Sequence, residues 1–175
     1  IIVMDAGAEG TVDGSRLEGR FYMEKDYGRS FPNAWIWLQS NSFPGHRVSV
    51  TCSIANVPFV GGAFTGFLAG MSVAGDLFKF TTYTGSRIEK IDADEAAVEL
   101  IIADRHRRLS IRAEREQGAE LRAPELGEMR GRVVETIQSR VEVELFVDSR
   151  VVFGGTGVCA GLDIVNPDRL LPHRR

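Results

Sequence analysis

Apolar and polar residues alternate with a period of two along most of the chain. The runs "RLEGRFYME" (16–24), "AWIWLQSN" (34–41), "RVSVTCSI" (47–54), "AFTGFLAGMSV" (63–73) and "LFKFTTYT" (77–84) carry this rhythm in the first half. "AAVELIIADR" (96–105), "RLSIRAERE" (108–116), "RVEVELFVDSRVVFGG" (140–155) and "VCAGLDIV" (158–165) carry it in the second. Side chains two apart on an extended chain share a face, and these runs are rich in Val, Ile, Phe, Thr and Tyr. Each therefore reads as a strand. Turn residues punctuate them at "VDGS" (12–15), "SFPGH" (42–46), "VAGD" (73–76), "YTGS" (83–86) and "REQGAE" (115–120).

Helix has little to rest on. The stretch "DADEAAVELIIADRHRRL" (92–109) contains good helix formers. Its Val98, Leu100 and Ile102 nevertheless alternate with Ala97, Glu99 and Ile101, so a hairpin is expected there. The tail "NPDRLLPHRR" reads as a turn with at most one helical turn before Pro172. Many short strands with 19 glycines predict an all-β antiparallel barrel or sandwich, one domain over residues 1–175. Gly62, Gly66 and Gly70 share a parity with Phe64 and Leu68. They mark either the sharp bends of a closing barrel or positions where another element packs closely.

Composition narrows the function classes. With 43% hydrophobic and 26% charged residues the chain has the make-up of a globular protein, long enough for one substantial core. A net charge of −3 gives no electrostatic ground for a nucleic-acid partner. The basic run "RHRR" (105–108) lies among acidic residues and reads as a solvated strand pair. No apolar run is long enough for an integral membrane span, and no signal peptide is evident. The first residue is Ile1, so the chain is expected to be a piece of something longer.

Several chemistries lack their residues. Cys52 and Cys159 are far apart among apolar neighbours and read as small buried hydrophobes. His46, His106 and His173 are scattered, so no metal site is expected, and neither phosphate-binding glycine loops nor nucleophile elbows occur. What remains is chemistry resting on carboxylates, amides and aromatics, either proton transfer or plain binding.

The segment "YMEKDYGRSFPNAWIWLQSNSF" (22–43) concentrates those residues. Trp35, Trp37, Gln39 and Asn41 are spaced by two, so one face of one strand carries two indoles and two amides. That face either lines a cavity, or covers an interface while Ala34, Ile36 and Leu38 form the core. Glu24 and Asp26 at the strand's approach are candidate acids, or else a solvated corner paired with Arg20 or Arg29.

This segment resembles the tocopherol cyclase family, through Glu24, Lys25, Gly28, Phe31, Pro32, Trp35, Trp37, Gln39, Asn41 and Phe43. Asp26 and Tyr27 stand where that family usually has Asn and Trp. "LSIRAEREQGAELRAP" (109–124) and "AGLDIVN" (160–166) are similar to later pieces of the family pattern, and between 57 and 95 the match is loose. The resemblance implies a lipocalin-like β-barrel, the C-terminal half of a protein built from two similar halves. It implies a lipophilic prenylated aromatic ligand, ring closure begun by protonating a prenyl double bond, and no cofactor. On that pattern Glu24 or Asp26 supplies the proton, and Tyr27, Trp35, Trp37, Gln39 and Asn41 hold the ligand. The alternatives are a non-catalytic carrier of a lipophilic isoprenoid and an isoprenoid hydratase. A missing N-terminal half or a homo-oligomer would complete the fold.

Overall fold

The computed structural model describes residues 1–170 and is all-β, with twelve strands and a single 3₁₀ turn at Pro167–Arg169. The strands are β1 (Val3–Val12), β2 (Ser15–Met23), β3 (Trp35–Ser40), β4 (Val48–Phe59), β5 (Gly62–Val73) and β6 (Asp76–Thr81). They continue with β7 (Arg87–Ala93), β8 (Ala97–Ala103), β9 (Arg107–Glu114), β10 (Ala119–Glu125), β11 (Glu128–Val147) and β12 (Arg150–Val165). β1 and β2 form a separate hairpin. The others form one antiparallel sheet in the order β6-β5-β4-β3-β12-β11-β9-β8-β7, with β10 added to the far end of the long β11.

The alternation decides which face is buried. Ile36 and Leu38 on β3, Val50, Cys52 and Ile54 on β4, and Met71 on β5 are fully buried. They share one cluster with Leu100 and Ile102 on β8, Leu109 and Ile111 on β9, Leu145 on β11 and Leu162 on β12. Strands distant in sheet order meet in this cluster only if the sheet curls around it. The interior is thus filled by side chains, mostly aliphatic with Phe43, Phe67, Phe80 and Phe153 among them, as in small barrels.

The sheet nevertheless lacks hydrogen-bonded closure. β6 and β7 are its edges, and among the described residues no ladder joins them. The chain leaves the sheet after Thr81, because the Thr82 hydroxyl takes the bond from the Phe67 backbone N–H (2.8 Å) that a continuing strand would supply. Across the gap the Arg107 guanidinium lies over the Phe80 ring, 5.1 Å from its centre. One member of the basic run expected in solvent therefore links β9 to the edge strand β6 by a cation–π contact. His106 pairs instead with Asp148 (2.8 Å), and Arg105 is exposed.

Other expectations need correction. The 140–155 run is not one strand: it reverses at Asp148 and Ser149, both in the left-handed region (φ 46° and 64°). That two-residue turn lacks the glycine that usually marks one. β1, β7 and β10 had no clear alternation: β1 is rich in Ala and Gly, β7 shifts register between Ile88 and Lys90, and β10 contains Pro124. Cys159 is exposed at an irregularity of the β11–β12 ladder with φ 54°, so only Cys52 is a buried hydrophobe. The 92–109 hairpin is present as β8 and β9. His173 and Pro172 lie outside the described residues.

Candidate functional site

Three separated sequence pieces converge on the outer face of the sheet, away from the aliphatic core. β3 lies between β4 and β12, with Trp35 opposite Val165, Trp37 opposite Asp163 and Gln39 opposite Gly161. On the other side Trp37 faces Ser53 and Gln39 faces Thr51. The "WIWLQS" and "AGLDIV" pieces are thus neighbouring strands. The segment leading into β3 is held to the β10–β11 turn by bonds from Gly127 N–H to Arg29 O (2.6 Å) and Leu126 N–H to the Ser30 hydroxyl (2.8 Å). The "LRAP" piece lies on β10, where the Pro124 carbonyl accepts from Phe31 N–H at 3.3 Å.

Because Ile36 and Leu38 point inward, Trp35, Trp37 and Gln39 point outward, and all three are half-buried. Of the two readings of this face, Ala34, Ile36 and Leu38 are the ones that form the core, and the tryptophans lie on the opposite face of the sheet. The β1–β2 hairpin shields part of the outer face. The Ser49 hydroxyl donates to the Met4 carbonyl (2.8 Å), and the Tyr22 and Thr51 hydroxyls are 3.1 Å apart. Gly70 and Gly66 lie on this face as well. A Cβ on Gly70 would touch Met4, and one on Gly66 would come within 3.0 Å of Val57 and 3.2 Å of Phe64. These glycines accommodate packing neighbours.

Tyr22 donates a hydrogen bond to Glu24. Burial pushes the Glu24 carboxyl above its ordinary range. The bond from Tyr22 and the nearby Trp37 pull it back, while Asp26 adds to the rise. Burial, followed by the Glu24 contact, also raises the Tyr22 hydroxyl, which stays a neutral donor at physiological pH. Neither Arg20 nor Arg29 forms the expected pair with Glu24: Arg20 is bound to Asp5. Asp26 is exposed and bears on the site through Glu24 and Tyr22. Tyr27 is 94% exposed, outside the cluster. Asn41 is half-buried beyond the last β3 residue, and Phe31 packs edge-on against Trp35 with ring centres 5.5 Å apart.

Asp163 is the residue that sequence reasoning missed. Its signal was a carboxylate between the inward Leu162 and Ile164, on the parity of the tryptophans. Burial, and then the charge of Glu135, push it up to about 7, against the opposing pull of Trp35 and Arg115. Among the described residues, four buried polar atoms find no hydrogen-bond partner: Trp37 Nε1, Gln39 Nε2, Asp163 Oδ1 and Arg115 Nε. Buried polar groups in folded proteins are nearly always paired. Three of these atoms belong to this one face, and Arg115 bears on Asp163 while its Nη2 donates to Ile164 O (2.9 Å). Glu135, the register partner of Asp163, also lines an open groove of about 450 Å³ with Gly118, Leu121 and Ile137. The face thus offers indole surfaces, unused donors and acceptors, two carboxyls with raised pKa, and an adjoining partly apolar groove. Among the described residues no group of three or more His, Cys, Asp or Glu is placed to hold a metal, and no helix is long and apolar enough to cross a membrane.

The chain is similar to known proteins in three ways. It is 35% identical over 81 residues to the chloroplastic tocopherol cyclase of Zea mays, a match that takes in 42% of this chain and 17% of that protein. It superposes on the crystal structure of kievitone hydratase from Nectria haematococca with a TM-score of 0.45 and 14% identity, over 93% of this chain and 51% of that one. The chain thus spans about half the length of that structure and matches a small part of the maize protein. The tocopherol cyclase-like family model matches residues 1–164, and the chain belongs to that family.

Proposed function

We propose that the outer face of β3, β4 and β12 binds a prenylated quinol and that its carboxyls drive cofactor-free closure of the chroman ring. The observation that carries this reading is the group of unpartnered buried polar atoms on Trp37, Gln39 and Asp163, set among indole rings. A quinol hydroxyl is both donor and acceptor, so it can answer the Gln39 amide and a carboxyl together. The half-buried tryptophans offer π-faces to a tertiary carbocation, a contact worth roughly 0.5–2 kcal/mol. The groove beside Glu135 provides apolar surface for a prenyl tail. In this reading the curled sheet is a lipocalin-like unit, and a further half or a second copy covers the outer face and dries it.

Protonating an alkene demands a strong acid in a site that excludes water. Glu24 and Asp163 are the carboxyls that bear on this face, and Asp26 and Tyr27 shape its rim. Binding is read from tryptophan fluorescence, because both tryptophans of the chain, Trp35 and Trp37, stand here. A prenylated quinol should quench or shift the emission, while the headgroup without its tail should not. An unchanged spectrum at saturating ligand would assign the indoles to packing alone.

A further inference from the structure

We propose that Asp163 is the proton donor to the prenyl double bond and that Glu24, across Trp37 from it, receives the quinol proton. This assignment rests on the functional reading above and gives its two proton transfers to named groups. Asp163 lies directly opposite Trp37 in the β3–β12 ladder, and Glu24 reaches the same indole from the end of β2. The two carboxyls differ in their partners. Oδ1 of Asp163 is buried and has no hydrogen-bond partner among the described residues. A carboxyl in such a place favours its protonated form. Burial raises the Glu24 carboxyl as well, but its Oε2 accepts from the Tyr22 hydroxyl, a bond that draws it back toward the ionised form that can take a proton.

The charged surroundings suit the donor role. The charge of Glu135 on β11 opposes ionisation of Asp163, while that of Arg115 favours the carboxylate left after proton transfer. Trp35 bears on the same carboxyl, while Glu24 and Asp26 face the opposite side of the site from β2 and the loop after it. Two nearby carboxyls held in different environments are the usual way to obtain an acid and a base from one residue type.

The steps balance. The Asp163 carboxyl gives its proton to the less substituted alkene carbon, and the π pair forms the new C–H bond. The resulting tertiary cation lies over the indoles. The quinol oxygen supplies a lone pair to form the C–O bond, and its proton passes to the Glu24 carboxylate. Exchange with solvent returns Glu24 to carboxylate and Asp163 to carboxylic acid, so the net reaction is an isomerisation.

The test compares purified full-length wild type with Asp163→Asn and Asp163→Glu, using a prenylated hydroquinone as substrate. Binding is followed by tryptophan fluorescence and turnover by chromanol formation across pH. Asp163→Asn should lower turnover about 10²–10⁴-fold, far more than it weakens binding, and Asp163→Glu should recover part of the rate. Wild-type turnover should fall as pH rises through about 7, the protonation range of Asp163. That limb is read on the wild type alone, so the proposal remains open to refutation even if the Asn variant fails to fold. A wild-type rate with no alkaline limb, or an Asp163→Asn variant at full rate, would overturn Asp163 as donor while leaving the cyclase reading intact. Wild-type protein that binds the quinol without converting it would overturn the cyclase reading, and the donor role with it.

Discussion

The Trp37 indole lies against the backbone of Gly161, where a Cβ would come within 2.7 Å of the ring. Gly161 therefore sets the height at which the indole rests between Gln39 and Asp163. Gly161→Ala should tilt or displace Trp37. Overpacking of this kind typically costs about 1–3 kcal/mol, to be read from denaturant unfolding. The altered ring should also shift the intrinsic emission and weaken quinol binding. A variant with wild-type stability, spectrum and affinity would show that the contact does not position the ring.

Tyr22 tunes Glu24. Its hydrogen bond lowers a carboxyl that burial raises, so Tyr22→Phe should move the Glu24 pKa further up. With Glu24 acting as a base, the acid-side limb of the pH–rate profile should then move to higher pH. An unmoved limb would separate Tyr22 from proton transfer.

The two carboxyls of "EKD" should behave differently. Glu24→Gln keeps the shape and removes the proton acceptor, and loss of a positioned general base costs about 10²–10⁴-fold in rate. Asp26→Asn changes an exposed residue to the one the family pattern usually has, so its rate should stay within a few-fold of wild type. Cyclisation assays with parallel thermal melts decide the matter. Equal activity in both variants would reduce the motif to a structural corner.

Much of this arrangement was legible in the sequence, because burial on one face of a strand imposes a period of two. Eight of the strands, the β8–β9 hairpin and the glycine-bearing turns follow from that rule and from local turn chemistry. The hidden parts are those where local signals fail. The Asp148–Ser149 turn adopts left-handed backbone without glycine, and β10 is held by its ladder to β11 despite Pro124. Site legibility followed the same division. Trp35, Trp37 and Gln39 share a face because of their spacing, whereas whether that face is interior or exterior depends on Ile36 and Leu38 meeting β8 and β9. Asp163 joins Trp37 only through a strand pairing more than a hundred residues apart in sequence, which no local pattern encodes.

Asp163 also gives stability a pH signature. Its folded-state pKa of about 7 lies above the ordinary 3.8, so the folded protein holds a proton that the unfolded chain has released. Stability therefore falls as pH rises from about 4 to about 7 and levels off beyond. Because the side chain keeps some solvent contact, the slope should be shallow. Asp163→Asn should flatten it in melts taken across that range. An identical slope in the variant would place the titration elsewhere.

The most direct measurement of the proposed activity is turnover of a prenylated hydroquinone by the full-length protein in deuterated water. Proton-initiated closure should yield a chromanol carrying one deuterium, bonded to the ring carbon that was the less substituted alkene carbon. Mass spectrometry locates that label, and no added metal or redox cofactor should be required. A tertiary alcohol would mean that water, not the quinol oxygen, captures the cation. Unchanged substrate bound at the tryptophans would mean a carrier, and either result would contradict the cyclase reading.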